Sequence, residues 1–107
     1  RVREINLAAA RLARSVADGF ATPQRPRFVA GSIGPSGLLP SASDPTLGNV
    51  RFAELVEVFA EQAAALVEGG VDVLLIETSQ DILEVKAAVF GCRQAMRTAD
   101  RPVALQV

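Results

Sequence analysis

The chain has 107 residues, half of them apolar and about a fifth charged, with a formal net charge of −1. This composition suits a small buried core and argues against a disordered polymer, and the scattered Lys and Arg form neither a nucleic-acid stripe nor a polybasic membrane patch. With no histidine and one cysteine, Cys92, the chain cannot hold an internal disulfide, a Ser-His or Cys-His pair, or a complete His/Cys zinc site.

From about Glu4 to Asp18, Ile5, Ala8, Leu12 and Val16 recur at helical spacing, and Gly19 is a plausible stop. Pro23 and Pro26 mark a linker. Arg27 to Ile33 reads as a short strand. The loop after it is rich in breakers, among them Gly34, Pro35, Gly37, Pro40, Asp44 and Pro45. A second helix is predicted from Phe52 to Glu68, with Phe52, Leu55, Val56, Phe59, Ala63 and Leu66 on one face and Gly69-Gly70 ending it. Val71 to Glu77 is the clearest strand, apolar on both faces from Val73 to Ile76 as in a covered parallel strand. A third helix is predicted from about Asp81 to Met96, with Ile82, Val85, Val89, Cys92 and Met96 as its buried stripe. Pro102 to Val107 begins a third strand.

The order αβαβαβ implies parallel strands joined by right-handed crossovers. A closed barrel and an open doubly wound sheet both satisfy it. No uncharged run approaches the roughly 20 residues of a membrane span. The first residue is not Met, a helix opens the chain and a strand closes it. The expectation is therefore an internal piece of a larger domain, in a reducing, cytoplasmic setting.

Sites in parallel α/β folds form at the C-terminal ends of strands. Two segments lie there. The first, Gly31-Ser32-Ile33-Gly34-Pro35-Ser36-Gly37, offers close backbone approach and free N–H groups, although it can equally be a plain turn. Its spacing is not GxGxxG and an irregular loop follows it, which argues against a dinucleotide site. The second is Glu77-Thr78. Glu77 ends an apolar strand in register with Val73 and Leu75, so it would point into a barrel mouth, where a carboxylate can pair with an ammonium or take a proton. The structural alternative is that it caps the next helix. Asp81 and Ser79 read as cap residues, Cys92 as a core thiol, and Lys86 and Arg93 as solvated.

VAGSIGPSGLLPS and, above all, VDVLLIETSQDILEVKAAV resemble the homocysteine S-methyltransferase family. The likeness is closest to the branch that opens the cobalamin-dependent methionine synthases, and it runs through nearly the whole chain. It implies part of a (β/α)8 barrel that binds zinc and homocysteine. Zinc lowers the thiol pKa, methylcobalamin brings the methyl group, and folate- and cobalamin-binding domains of the same parent chain are the partners. The strand-end glutamate matching Glu77 holds the homocysteine amino group, and the neighbouring Thr78, Gly31, Ser32, Gly34 and Pro35 belong to the same mouth. The family's zinc cysteines lie in Asn-Cys and Gly-Gly-Cys-Cys motifs. Neither motif is present and Cys92 does not align with them, so this stretch alone is expected to be inactive. Two alternatives stay open: a single-domain enzyme using S-methylmethionine or betaine, and a non-catalytic module.

Overall fold

A computed structural model describes residues 1–107. Three helices alternate with three strands: α1 (Val2–Phe20), β1 (Ala30–Ile33), α2 (Phe52–Glu68), β2 (Val73–Ile76), α3 (Ile82–Arg97) and β3 (Ala104–Gln106). The sheet is parallel with order β1-β2-β3. Ala30 pairs with Val73, Ile33 with Ile76, and Leu74 with Leu105. The α/β alternation read from the sequence is thus present, and α2 has the predicted limits. The strands are shorter than predicted because each one spans only residues with a partner on the next strand.

The strand period of two sorts side chains by face. Ile33, Leu74 and Ile76 are buried beneath the helices, while Ala30 and Ser32 are exposed and Val73 and Leu75 half-buried on the other face. Ile33, Leu55 and Leu74 are at most 1% exposed, and each such side chain contributes about 1.5–3 kcal/mol. Phe52 packs edge-on against Phe90, with centroids 5.9 Å apart.

One expectation about a helix face needs correcting, and one helix turns its apolar period outward. In α3 the buried residues are Glu84, Ala87, Ala88, Gly91, Cys92 and Ala95. Of the predicted stripe only Cys92 is fully buried. Ile82 is 67% exposed, and Val85, Val89 and Met96 lie on the flank. The cause is the close approach of α2 and α3: a Cβ on Gly91 would stand 2.7 Å from the Ala60 backbone nitrogen. Small side chains must face that seam. In α1 the helical period holds, but Ile5, Leu12 and Val16 face outward, and Ala10 is the one buried residue.

Helix α1 docks through Ala10 onto Gly69, where a Cβ would come within 2.4 Å of the Ala10 Cβ. Arg3 pairs with Glu68 at 2.6 Å. At the N-terminal end of β2, Asp72 accepts from the Arg14 guanidinium and from the Val29 N–H, both at 2.7 Å. That end of the sheet is a structural knot, and Gly70, at φ +101°, makes the turn into it.

Candidate functional site at the strand ends

The other end of the sheet brings together two segments 45 residues apart in sequence. The Glu77 N–H donates to the Ile33 carbonyl at 3.1 Å, extending the ladder by one bond. The Ser32 hydroxyl donates to Glu77 Oε1 at 2.5 Å. Both side chains lie on the sheet face that the helices leave open, so Glu77 shares the parity of Val73 and Leu75 as expected. Glu77 is exposed, which leaves its second oxygen to solvent. It does not cap α3.

Thr78 follows at φ 63°, the single non-glycine residue with positive φ. A β-branched residue is unfavourable there, and such strain costs on the order of 1–3 kcal/mol and gathers at functional sites. The bend breaks the extended backbone directly after Glu77. A cavity of about 310 Å³ opens at this point, lined by Leu75 to Ser79 together with Val85 and Val107. A larger one, about 580 Å³, lies elsewhere, between the C-terminal parts of α2 and α3.

The remaining predicted site residues divide. Gly34 and Pro35 are exposed at the start of the loop after β1, and a Cβ on Gly34 would meet nothing within 4 Å. Gly31 is not brought to the mouth. A Cβ there would point at Leu66 and Val71, 3.0 and 3.1 Å away, on the helix side. Its lack of a side chain serves packing under α2.

The first turn of α3 holds the long loop. Asp81 caps the helix as expected, its Oδ1 accepting from the Leu83 and Glu84 N–H groups at 2.8 and 3.1 Å. It also accepts from the Ser41 N–H and hydroxyl. Desolvation pushes the Asp81 carboxyl up, but the bonds from Ser41, Glu84 and Leu83 together outweigh it and hold the group below its ordinary value. Glu84 is fully buried, and its Oε1 accepts from the Ser36 N–H at 2.7 Å and the Ser36 hydroxyl at 2.5 Å. Sequence reasoning missed Glu84. The available signal was its place three residues after Asp81 in a first turn, facing a serine-rich loop. Asp44 folds that loop on itself: the Thr46 hydroxyl and N–H bond to it and lower its carboxyl.

The zinc implied by the family resemblance does not fit these residues. No group of three His, Cys, Asp or Glu side chains is placed to hold a metal ion. Cys92 is fully buried in the hydrophobic core, and desolvation pushes its thiol up to about 11. That is the state of a core thiol and not of a metal-binding thiolate. No helix is long and apolar enough to cross a membrane.

Comparison with known proteins places the chain in a family. The homocysteine S-methyltransferase family profile matches residues 1–107. Methionine synthase of Mycobacterium tuberculosis (strain ATCC 25618 / H37Rv) is 41% identical over 103 residues, and methionine synthase of Mycobacterium leprae (strain TN) is 39% identical over the same length. In both cases 96% of this chain is aligned but only 8% of the relative, so the chain spans a small part of their length. The chain belongs to the homocysteine S-methyltransferase family.

Proposed function

We propose that these residues form part of the homocysteine-binding (β/α)8 barrel of a methionine synthase, with Glu77 receiving the substrate's ammonium group. The observation that carries this reading is the Ser32–Glu77 pair on the open face of the sheet, beside the strained Thr78. A carboxylate pre-oriented by a serine hydroxyl, with one oxygen open, suits a charge-assisted bond to an amine. The barrel is supported by the sequential strand order and by helices on one face only. A doubly wound sheet would carry helices on both faces and reverse its order at a switch point. Half-buried Val73 and Leu75 on the open face suit the interior of a closed barrel.

In this reading the protein methylates the homocysteine sulfur: a carbon–sulfur bond forms, the donor loses its methyl group and the thiol loses its proton. Zinc, which makes the thiol a better nucleophile, and methylcobalamin, which supplies the methyl group, would be held by other parts of the whole protein, as would folate. What the present residues do is bind and orient. Glu77 fixes the amino end, Ser32 fixes Glu77, and Thr78, Gly34 and Pro35 shape the rim. The lone reduced Cys92 suits a reducing, cytoplasmic setting.

The test is methionine formation by the full-length protein, followed by mass spectrometry with homocysteine and either methylcobalamin, S-methylmethionine or betaine as donor. Methionine from the cobalamin donor is expected. Methionine only from S-methylmethionine or betaine would move the protein to the single-domain kind. No methionine from any donor would refute the methyltransferase reading.

A further inference from the structure

We propose that Glu84, a residue in the first turn of α3 that makes no contact with the strand-end carboxylate, is a positioning residue for homocysteine binding; this inference rests on the function proposed above. Glu84 is 0% exposed. Both hydrogen bonds to its carboxylate come from Ser36, the residue after Pro35, and both land on Oε1. Its other oxygen, Oε2, is buried with no partner.

A carboxylate half satisfied in a helix–loop seam is a poor choice for stability alone, because the orphaned oxygen has lost water and gained nothing. An apolar side chain on α3 would pack there without that cost. What the carboxylate achieves is specific: it grips the loop from β1 by a backbone N–H and a hydroxyl at one point. The segment from Gly34 to Arg51 contains no helix or strand, and most of it is exposed. Its remaining ties to α3 come from Asp81, which holds Ser41 five residues further out. Glu84 is therefore the anchor nearest the mouth.

The anchor has consequences for geometry because of where α3 starts. Ile82 stands only four residues after Thr78. Tying Ser36 to Glu84 thus fixes Gly34 and Pro35 relative to the turn that carries Glu77. A cavity of about 300 Å³ borders the anchor, lined in part by Pro35, Gly37, Leu38, Gln80 and Glu84, which gives the loop room to shift once released. A shift of the order of 1 Å at a binding rim can lower catalytic efficiency by as much as about a hundredfold.

The experiment is steady-state kinetics of the full-length methyltransferase with Glu84→Ala, Glu84→Gln and Ser36→Ala, and with Glu77→Gln as reference. Glu84→Ala is expected to raise the homocysteine KM about tenfold, with kcat at saturating homocysteine kept within about twofold. Glu84→Gln keeps an oxygen acceptor for Ser36 and is expected to restore KM to within about threefold of wild type. Ser36→Ala keeps the N–H bond and is expected to raise KM by a smaller factor, and it decides the matter if Glu84→Ala does not fold. A raised KM in Ser36→Ala with rescue by Glu84→Gln supports the proposal. If Glu77→Gln raises KM but Glu84→Ala and Ser36→Ala do not, the positioning role is wrong and the proposed function stands. If wild-type protein shows no homocysteine-dependent turnover, the function itself is wrong.

Discussion

Replacing Gly91 by alanine tests whether the α2–α3 seam is as tight as the structure places it. The new methyl would sit 2.7 Å from the Ala60 nitrogen, 2.9 Å from the Val56 carbonyl oxygen and 3.0 Å from the Phe59 carbonyl carbon. All three are backbone atoms of a helix and cannot swing aside, whereas favourable contacts with carbon lie near 3.5–4.0 Å. The helices must part by several tenths of an ångström along their seam. Overpacking of this kind costs about 1–3 kcal/mol, and the upper half applies where the neighbour is backbone. Alanine is favoured over glycine within a helix by about 1 kcal/mol, so the net loss is about 1–2 kcal/mol. In a whole barrel of roughly 250 residues that lowers Tm by roughly 2–8 °C. The control is Gly19→Ala in α1, where a Cβ meets nothing within 4 Å. It should stabilise by up to about 1 kcal/mol. Urea denaturation followed by far-ultraviolet circular dichroism reads both. Equal effects of the two substitutions would refute the close seam.

Thr78→Gly should stabilise the fold by about 1 kcal/mol, because glycine accepts the φ of 63° without strain; a destabilised variant would show that the threonine side chain outweighs its backbone cost. Native Cys92 should react slowly with iodoacetamide at pH 8 and quickly in denaturant, since burial pushes its thiol up to about 11; rapid native labelling would place it outside the core. Asp81 is held below its ordinary value in the folded chain, so the folded state favours its ionised form. Its stabilising contribution is full at neutral pH and is lost as the pH falls below about 4, through the folded value. The stability gap between wild type and Asp81→Asn should therefore narrow from pH 7 to pH 3, and a gap independent of pH would refute the assignment.

What was legible in the sequence follows what is local. Helix α2 was read to its limits because its apolar face is continuous and a glycine pair ends it. Asp81 was recognisable as a cap, and Glu77 as a strand-end carboxylate, from neighbours a few residues away. The errors concern distant partners. In α3 the helical period picks out Ile82, Val85, Val89 and Met96 beside Cys92, yet the seam is set by how near α2 comes, which selects Ala87, Ala88 and Gly91. Gly31 was placed at the mouth on its motif, and only the packing of Leu66 and Val71 assigns it to the helix side. Glu84 was overlooked because its partner, Ser36, lies 48 residues earlier. The outward face of Ile5, Leu12 and Val16 shows the converse: periodicity identifies a helix but not what covers it.

The most direct test of the central claim is calorimetric titration of homocysteine into the full-length protein, wild type against Glu77→Gln. The account predicts binding by wild type and a loss of about 1–3 kcal/mol in the variant, the range for a hydrogen bond to a charged group, or roughly 5- to 150-fold in Kd. Equal affinities would remove Glu77 from the substrate site and contradict the account.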